Sequence, residues 1–545
     1  MKIGQKLKLE VYGESHAPQI GMRLEGLPAG IRIDMERLQS FMERRAPGRD
    51  GFSTARREPD VPEFTCGLNG GATTGGPVEA IIRNTDTRSG DSERPIPRPG
   101  HADFPSWVKT GRIPPGGGSN SGRMTAAMCI AGGICLQELA RRGVSVKARV
   151  VSVGDVAAAK SEGDSVGGVV ECEATGLPVG LGGPMFDGID GMIAHAVFGV
   201  PGVKGIEFGN GFAAAGLKGS ENNDPFSVDG GLVATATNRH GGVLGGMTSG
   251  MPLVFRVAMK PTPSIYKPQR SVDLKTMEPC ELVVRGRHDP CIAMRAVPVV
   301  EALTAFALLD AILADEASRP RICLTLTGRT LAEDLGQYAS QRYFADMVEL
   351  RADLLKKSER AKVADFPKMP SEASPWMVPA ILTFRKACDG GAFEGSDEER
   401  ARFFEKVLAR RRDGADAGFA YVDFEEGFGG ERLLKLAREA GVKVVRSLHS
   451  FDGPVPNIKA RLRALWKEGD VAKIAFMPRG ARDVSRLFAA FSSPFPVPRV
   501  VIAMGEHGLE TRVHAERLGS LWTYSSVGGL GKIGHITPYQ LKAHD

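Results

Sequence analysis

A single lysine interrupts the apolar run Val471-Ala-Lys473-Ile-Ala-Phe-Met-Pro478. A continuous apolar run of this length is typical of a strand buried on both faces of a parallel sheet. A lysine within such a strand is desolvated, and desolvation favours the neutral amine over the ammonium. Because a neutral amine attacks carbonyl carbon to form an imine, Lys473 is a candidate Schiff-base nucleophile. The alternative is a structural lysine whose amine reaches solvent at the strand end.

Lys473 belongs to a series of short apolar runs that are mostly separated by helix-like stretches. The eight runs are residues 322–326, 347–350, 380–384, 420–424, 444–451, 471–478, 500–504 and 521–524. Eight alternating strands and helices predict a closed (β/α)8 barrel. Charged residues stand near the ends of these runs, namely Glu349, Arg351, Arg385, Glu425, His449 and Lys473. Since the carboxyl rim of such a barrel carries the active site, a catalytic role for Lys473 is favoured over the structural one.

An ordered set of motifs covers the chain from about residue 320 to its C-terminus. The motifs are Glu349-Leu-Arg351-Ala-Asp353, Thr383-Phe-Arg385, Ser447-Leu-His449, Lys473-Ile-Ala, and Met504-Gly-Glu-His-Gly with Arg512 after it. This part of the chain resembles the type I 3-dehydroquinate dehydratases. The resemblance implies that Lys473 forms an imine with the substrate ketone and that His449 is the general acid and base. It implies no cofactor for this half.

The same resemblance assigns further site residues. Asp389 takes the place of a glutamate that orients the histidine, and it is one methylene shorter. The implied substrate-binding residues are Glu349, Arg351, Arg385, Arg512 and His535. Guanidinium groups suit this task because they pair a carboxylate through two hydrogen bonds. The closing Ser-x-Pro-Gly-Gln of the family is replaced by Gly531-Lys-Ile-Gly-His535, and Thr511 stands where serine is usual, so looser closure over the substrate is expected.

The bulk composition sets the class of protein. A chain of 545 residues exceeds one ordinary core, and we predict two domains, 1–317 and 319–545. With 42% hydrophobic and 25% charged residues the chain is typical of globular proteins, and a net charge of +6 suits small anionic substrates. Only 7% of residues are aromatic, and basic residues are not interleaved with them, which argues against nucleic-acid binding.

Without a signal peptide or an apolar run approaching ~20 residues, we expect a cytoplasmic protein that does not bind membranes. The cysteines show no Cys-x-x-Cys pair, so no metal is expected.

The first 317 residues are glycine-rich, and their short strands do not alternate with helices, which predicts an α+β domain. Helices are expected at residues 121–143 and 297–314, and small residues in the first allow close packing. Gly116-Gly-Gly-Ser-Asn-Ser121 leads into the first helix, where exposed N–H groups favour phosphate. Histidines stand in Gly13-Glu-Ser-His16, Arg98-Pro-Gly-His101 and Arg287-His-Asp289, near a basic group of Arg44, Arg45, Arg49, Arg56 and Arg57. Taken singly, structural histidines and a solvated basic loop explain these features.

Together they resemble chorismate synthase over residues 1–317. The supporting motifs are Gly13-Glu-Ser-His16, Arg44-Arg45-Ala-Pro-Gly48, Arg56-Arg57-Glu-Pro-Asp60, Asn84-Thr-Asp86, Arg98-Pro-Gly-His-Ala-Asp103, Lys260-Pro-Thr262, Gly286-Arg-His-Asp-Pro-Cys-Ile292 and Arg295-Ala-Val-Pro298. The resemblance implies helices sandwiched between antiparallel sheets and a homo-oligomer, a dimer or tetramer, formed through this domain. It implies elimination of phosphate from 5-enolpyruvylshikimate 3-phosphate with reduced FMN. It also associates the chain with NADP, although no Gly-x-Gly-x-x-Gly dinucleotide motif is present, which argues against a flavoprotein oxidoreductase.

By resemblance, His16 protonates the departing phosphate, His101 faces the flavin, and Asp289 takes part in proton transfer, while Arg45 and Arg123 bind anionic groups. The implied flavin contacts are Ser119, Asn120, Ser121, Pro201, Gly202, Gly245, Lys260, Pro261, Thr262, Pro263, Ser264 and Arg287. The stretch Ser119-Asn-Ser-Gly-Arg-Met-Thr125 lacks an arginine and a glutamate of the family, Ala17 replaces a glycine, and Gly51 replaces an arginine. Each lost charged contact weakens binding by about 1–3 kcal/mol. The alternative function for this half is therefore an oligomerising scaffold that has lost catalysis.

Overall fold

The computed structural model describes residues 1–46, 58–85, 95–229, 232–284, 289–363, 378–412, 419–527 and 536–543. The chain divides into two compact units. One is built from Met1–Asp229 and Val233–Asp315, and the other from Glu316–Asp545.

The N-terminal unit consists of two antiparallel sheets, several short hairpins and a helical core. Its strands are β1 (Lys2–Ile3), β2 (Lys8–Gly13), β3 (Gln19–Glu25), β4 (Glu63–Cys66), β5 (Leu68–Asn69), β6 (Ala72–Thr73), β7 (Val78–Arg83), β8 (Ser145–Val153), β9 (Gly168–Thr175), β10 (Val203–Phe208), β11 (Phe226–Asp229), β12 (Leu232–Thr235), β13 (Val243–Leu244), β14 (Met247–Thr248), β15 (Leu253–Met259), β16 (Gln269–Asp273) and β17 (Glu278–Leu282). Its helices are α1 (Met35–Arg45), α2 (Asp103–Thr110), α3 (Thr125–Arg141), α4 (Val156–Ser161), α5 (Ile189–Val197), α6 (Gly219–Asn222) and α7 (Ala293–Ser318).

Helix α3 lies between the two larger sheets of this unit. One sheet has the order β1-β2-β3-β7-β4 and the other β10-β15-β9-β8, and α3 contacts strands of both. Its small residues permit close packing, as predicted: a Cβ on Gly132 would lie 2.2 Å from Cβ of Ala302, and one on Gly133 would lie 2.5 Å from Leu38. The predicted arrangement of helices between antiparallel sheets is therefore confirmed.

Helix α7 spans Ala293–Ser318, whereas the sequence pattern predicted a helix over residues 297–314 only. By length and composition it could cross a membrane, but 94% of its most apolar window is buried, as in a core helix. Two acidic residues in this helix have fixed partners. Asp310 accepts hydrogen bonds from the backbone N–H groups of residues 5–7 at 2.7–2.8 Å, and Glu301 pairs with Arg44 at 2.6 Å. These contacts offset the cost of burying both carboxylates.

The C-terminal unit alternates strands and helices. Its strands are β18 (Arg321–Leu326), β19 (Met347–Arg351), β20 (Ala380–Thr383), β21 (Tyr421–Glu425), β22 (Lys443–Ser450), β23 (Val471–Phe476), β24 (Arg499–Ala503) and β25 (Trp522–Ser526). Its helices are α8 (Leu331–Gln341), α9 (Lys357–Arg360), α10 (Asp397–Arg412), α11 (Gly430–Glu439), α12 (Ile458–Lys467), α13 (Ala481–Ala490), α14 (Glu510–Val513) and α15 (Pro538–Lys542).

The eight strands form one parallel sheet in the order β24-β23-β22-β21-β20-β19-β18-β25. A parallel bridge joins Arg499 of β24 to Ser520, two residues before β25, so the barrel is nearly closed. Every residue of β23 is buried, which explains why its sequence is continuously apolar except at Lys473. All eight predicted strands are present, and the predicted barrel is confirmed. Because parallel strands align their carboxyl ends, the rim collects the polar side chains that follow each apolar run.

Candidate active sites

The amine of Lys473 lies inside the barrel, where its residue is only 3% exposed. Its Nζ donates to Oδ2 of Asp423 at 2.8 Å, contacts Oη of Tyr524 at 3.0 Å, and lies 3.5 Å from Oε1 of Glu349. The surrounding cavity opens to solvent, and its empty space together with that of its mouth is about 630 Å³. It is lined by Thr325, Glu349, Arg351, Arg385, Asp389, Gly390, His449, Phe451, Lys473, Ala475, Ile502, Met504, Arg512, Tyr524, Ser525 and Ser526. Lys473 is therefore a cavity residue, and its amine does not reach outer solvent.

Asp423 organises the cations of this cavity. Its Oδ2 accepts from both Lys473 and Nη2 of Arg385, the latter at 3.0 Å, and its Oδ1 accepts from the Ser447 hydroxyl at 2.5 Å. Burial raises the pKa of the Asp423 carboxyl, but the charges of Lys473 and Arg385 outweigh burial and hold its pKa well below the ordinary value. Asp423 is thus an anion that fixes a nucleophile and a binding residue together.

Glu349, on β19, provides a second buried carboxylate, and its hydrogen-bond partners lie on the two neighbouring strands. It accepts hydrogen bonds from the hydroxyls of Thr325 at 3.1 Å and Thr383 at 2.8 Å. Burial raises the pKa of Glu349, yet the nearby Lys473 and arginines lower it below its ordinary value. The pocket therefore holds fixed anions beside the lysine, which offset the cost of burying a cation there.

Three arginines line the cavity and have defined positions. Arg351 forms a bidentate pair with Asp353, at 2.9 and 2.7 Å, and Arg385 is held by Asp423. Nη1 of Arg512 donates to the backbone oxygen of Tyr524 at 2.8 Å. Burial lowers the pKa of Arg512 to about 10, so its guanidinium remains charged at neutral pH. Such pre-positioned cations suit a substrate that carries a carboxylate and hydroxyl groups.

His449 lies at the carboxyl end of β22, next to the lysine strand. Burial, together with the cations Arg385 and Lys473, lowers the pKa of His449 well below its ordinary value. The imidazole is therefore neutral at neutral pH and has a lone pair available for a proton. Its Nδ1 is buried and makes no hydrogen bond with any residue that the structure describes.

Asp389, which was expected to orient His449, lines the same cavity. Its Oδ2 is 3.5 Å from Sγ of Cys388, and among the described residues it makes no hydrogen bond to His449. The next residue, Gly390, packs against Phe451, since a Cβ there would lie 2.5 Å from the Phe451 ring. The orienting role of Asp389 stays a prediction.

Sequence reasoning missed two residues that contact Lys473, namely Asp423 and Tyr524. Asp423 interrupts an apolar strand as Lys473 does, and this shared pattern was a usable signal. Several predicted residues lie outside the described residues, namely Arg49, Gly51, Arg56, Arg57, Arg287, Gly531 and His535.

In the N-terminal unit, the glycine loop lies between the two candidate histidines. Gly116, Gly117 and Gly118 have φ values of 58°, 85° and 54°, a left-handed succession that favours glycine. A Cβ on Gly116 would lie 1.9 Å from Cε1 of His16, and one on Gly117 would lie 3.2 Å from the ring of His101. The loop thus brings together residues that are far apart in the chain, and its glycines leave room for both imidazoles.

His101 is fixed by an acidic partner. Its Nδ1 lies 2.6 Å from Oδ1 of Asp103, and Arg98 pairs with the same carboxylate at 2.7 and 2.8 Å. Burial raises the pKa of Asp103, but hydrogen bonds from Arg98 and His101 hold it well below the ordinary value. Asp103 thus remains an anion that orients the imidazole of His101.

The predicted flavin-contacting segment Lys260–Ser264 adjoins this group. The Lys260 amine donates to the Gly100 carbonyl, and the Ser264 hydroxyl accepts from Arg98 at 3.4 Å. Oγ1 of Thr262 is buried and has no hydrogen-bond partner among the described residues, as expected of a group that awaits a polar ligand. With the glycine loop, these residues fit a phosphate-bearing cofactor such as FMN.

The other predicted flavin residues are less closely connected. Pro201-Gly202 reaches Lys260 through a 2.9 Å backbone hydrogen bond from Lys260 N to Gly202 O. Asn120 donates to Ser106 at 3.1 Å, and Ser121 caps Arg123 N at 3.3 Å. Gly245 lies in the turn between β13 and β14, and no described hydrogen bond joins it to the group.

Arg45 and Arg123 share one carboxylate. Arg45 Nη1 pairs with Oδ2 of Asp60 at 2.7 Å, and Arg123 Nη1 pairs with Oδ1 of the same residue. Nη2 of Arg123 is buried and makes no hydrogen bond with the residues that the structure describes. Arg123 therefore has a donor that fits an anionic ligand, whereas the Arg45 guanidinium is bound on all three nitrogens to Asp60, Thr125 and Gly122.

Asn84 connects these arginines to His16. Its Oδ1 accepts from Arg123 Nε at 3.0 Å, while its Nδ2 donates to the carbonyls of Glu14 and Ala17, on either side of His16, at 3.2 and 2.7 Å. Asp289 pairs with Arg295 at 2.6 Å, and Arg295 donates to the Arg45 carbonyl at 3.2 Å. The structure thus links the candidate acid, the anion-binding arginines and Asp289 into one network.

Among the residues described, no group of histidine, cysteine and acidic side chains is arranged to hold a metal ion.

Comparisons with known proteins match each unit to a different family. The family model for chorismate synthase matches residues 7–159 and 155–313, and that for type I 3-dehydroquinase matches residues 322–544. Chorismate synthase from Thermococcus gammatolerans is 46% identical over 349 residues, covering 58% of this chain and 98% of that protein. A crystal structure of chorismate synthase is 26% identical, with a TM-score of 0.46, over 63% of this chain and 98% of that one. The 3-dehydroquinate dehydratase from Geobacillus kaustophilus is 26% identical, with a TM-score of 0.37, over 42% of this chain and 90% of that one.

A helical core between sheets and a barrel with a buried lysine define a lyase with two catalytic domains. The chain belongs to the chorismate synthase family and continues into a type I 3-dehydroquinase domain, as its motifs predicted. It is a bifunctional enzyme of the shikimate pathway, with chorismate synthase and type I 3-dehydroquinate dehydratase activities.

Proposed function

We propose that the barrel converts 3-dehydroquinate to 3-dehydroshikimate through an imine on Lys473. The observation that supports this is the cavity in which a buried amine, a neutral histidine and fixed arginines converge. Arg385 and Arg512 bind the carboxylate and hydroxyls, so the ketone carbon is held beside Nζ of Lys473. The positive imine nitrogen stabilises the carbanion formed when His449 removes the adjacent proton. His449 then returns that proton to the departing hydroxyl, and water releases the product from Lys473.

The acid limb of dehydration should lie well below about pH 6.5, the ordinary histidine pKa. The pKa of His449 is lowered in the folded protein, so the neutral base persists as the pH falls through that value and is lost only at the lowered pKa. Measurement of kcat/KM against pH tests this, because it reports ionisations of the free enzyme. An acid limb centred at the ordinary histidine pKa would contradict the assignment of His449 as the base.

We further propose that the N-terminal domain eliminates phosphate and a proton from 5-enolpyruvylshikimate 3-phosphate to give chorismate. His16 donates a proton to the departing phosphate, and Arg123 with Arg45 provides positive charge where the negative charge develops. Asn84 supports this arrangement because it holds both the backbone around His16 and the Arg123 guanidinium. Asp289, paired with Arg295, takes part in moving the second proton.

The cofactor proposed for this domain is reduced FMN, held by the glycine loop, Lys260–Ser264, Gly202 and His101. When bound, reduced flavin would supply electrons to the reaction and would regain them before the reaction ends. Thr262, whose buried hydroxyl has no partner among the described residues, and the loop N–H groups would hydrogen-bond the cofactor, while Asp103 fixes the imidazole of His101. NADP is expected to take part in reducing the flavin, and no binding site for it is proposed.

Titration with FMN, followed by its absorbance spectrum with and without 5-enolpyruvylshikimate 3-phosphate, tests this proposal. We expect saturable binding that strengthens with substrate, and chorismate formation only when the flavin is reduced. Thr262→Val should weaken flavin binding, since it removes a hydroxyl but keeps the shape of the side chain. Absence of flavin binding by the wild type would favour the scaffold function over catalysis in this domain.

We also propose that the N-terminal domain forms a homo-oligomer, a dimer or tetramer, in a cytoplasmic enzyme that uses small anionic substrates. Several large apolar side chains of this unit are exposed: Met185 (87%), Phe186 (96%), Phe212 (86%), Phe226 (73%) and Val228 (75%). Exposed apolar side chains in this number suit contact with a second copy. Light scattering should give the mass of an oligomer, and Phe186→Asp should lower it; a monomeric wild type would contradict the proposal.

A further inference from the structure

The hydroxyl of Tyr524 is one of the closest groups to the nitrogen of Lys473. Its Oη lies 3.0 Å from Nζ, nearer than the Glu349 carboxylate at 3.5 Å, and Nζ lies 4.3 Å from the centre of the Tyr524 ring. The ring occupies a fixed position on β25, with 6% exposure, and its own backbone oxygen accepts from Arg512. The phenol therefore stands at a defined distance from the reacting nitrogen.

The neighbouring acids cannot supply a proton in this place. Asp423 already accepts from Lys473, Arg385 and Ser447, and its lowered pKa keeps it ionised. Glu349 is likewise held as a carboxylate between hydroxyl donors. Burial, reinforced by Glu349, raises the pKa of Tyr524 well above its ordinary value, so its phenol keeps its proton. Of these three neighbours of Nζ, Tyr524 alone has a proton to give.

Imine formation needs such a group. Lys473, held as a cation beside Asp423 and Glu349, first releases one proton to water. When the resulting neutral amine adds to the ketone carbon, the nitrogen becomes positive and the ketone oxygen negative. One proton must pass from that nitrogen to that oxygen before the oxygen leaves as water. A hydroxyl within hydrogen-bond distance of the nitrogen transfers it by accepting one proton and releasing another.

We propose that Tyr524 is a catalytic residue that relays this proton during imine formation, an inference that rests on the proposed imine mechanism. The C–N bond forms and the carbonyl π bond becomes a C–O⁻ bond. The N–H bond then breaks as a new O–H bond forms on Tyr524, while the original phenol O–H breaks and its proton bonds to the substrate oxygen. Tyr524 ends as a neutral phenol, and the step consumes no other reactant. Hydrolysis of the product imine uses the same relay in reverse.

Tyr524→Phe in the full-length enzyme tests this relay, because it removes the hydroxyl and keeps the ring beside Lys473. Enzyme is mixed with 3-dehydroquinate, quenched with borohydride after increasing times, and its intact mass measured. We expect the adduct to form roughly 10²-fold more slowly, as for loss of a general acid–base group, and to reach the wild-type amount. The matched control is Tyr421→Phe, whose ring packs on Trp522 at 5.3 Å and does not line the cavity; its adduct should form at the wild-type rate.

A second measurement needs no variant: in the wild type, adduct formation should be slower in D₂O, because two O–H or N–H bonds break in the relay. An unchanged rate in Tyr524→Phe, or no isotope effect in the wild type, overturns the relay. A smaller final amount of adduct at an unchanged rate also overturns it, since that result shows only positioning of Lys473. A wild type that forms no adduct at all overturns the imine mechanism itself, which separates the two failures.

Discussion

Replacement of Lys473 by alanine should lower the kcat of dehydration by a factor of ~10⁴–10⁶, as for loss of a covalent nucleophile. Borohydride reduction of wild-type enzyme mixed with 3-dehydroquinate should leave one substrate-derived mass on Lys473, because reduction traps an imine. The alanine variant also leaves the Asp423 and Glu349 carboxylates buried without their cation, which costs about 3–5 kcal/mol of stability. Lys473→Arg therefore serves as a second variant, since it keeps a cation beside Asp423 but cannot form the imine.

The matched control for this experiment is Lys443→Ala, at the exposed start of β22. It should keep both the adduct and the activity, which shows that surface lysines do not contribute. We expect Lys473→Ala to leave chorismate formation unchanged, because the product of the early dehydration is not the substrate of the last step. An equal adduct on Lys473→Ala would refute the assignment, and loss of chorismate formation would reveal coupling between the domains.

Gly116→Ala should reduce chorismate formation by ~10²–10⁴-fold, as for loss of a general acid, and leave dehydration unchanged. The added Cβ would lie 1.9 Å from Cε1 and 2.1 Å from Nδ1 of His16, and the φ of 58° already disfavours a side chain. The imidazole must therefore move, and its 3.1 Å contact with the Ser15 hydroxyl breaks. Steady-state rates of both reactions on one preparation measure the effect.

Gly122→Ala is the control for that substitution, because it lies in the same stretch and a Cβ there meets no atom within 4 Å. The Gly122 carbonyl that binds Arg45 and Thr125 is also retained. Its chorismate formation should match the wild type. Equal activity of Gly116→Ala and wild type would show that His16 is not the acid, whereas equal losses in both variants would indicate a general sensitivity of the loop.

The barrel could be predicted because its physical signals are local. Strands buried on both faces need apolar residues throughout, so each strand was visible as a run, and Lys473 and His449 stood out as exceptions. Their proximity also followed, because neighbouring parallel strands align: His449 pairs in register with Ala475, two residues after the lysine. Tyr524 was missed because an aromatic residue in a buried strand is also what ordinary core packing predicts, so it does not stand out from the apolar run.

The N-terminal site could be predicted only as a set of motifs. His16 and His101 meet through backbone conformations at Gly116 and Gly117 that no hydrophobic period encodes. Likewise, the sequence indicated a basic group but not that Arg45 and Arg123 would share Asp60, because that pairing depends on long-range packing. Helix α7 was underestimated in length because its two ends carry the charged residues Arg295, Asp315 and Glu316, which do not continue the apolar pattern.

The bonds that Asp310 accepts from residues 5–7 also impose an order on synthesis. The partners are separated by 303–305 positions, so the first strands cannot gain these contacts until nearly the whole N-terminal domain has left the ribosome. Until then, the backbone N–H groups of residues 5–7, between β1 and β2, lack their carboxylate partner on helix α7. The barrel strands begin to emerge only after this closure becomes possible, since β18 starts at Arg321. A nascent chain in which Asp310 is still inside the ribosome should therefore bind chaperones through its N-terminal domain, and one in which the whole of α7 has emerged should bind them less.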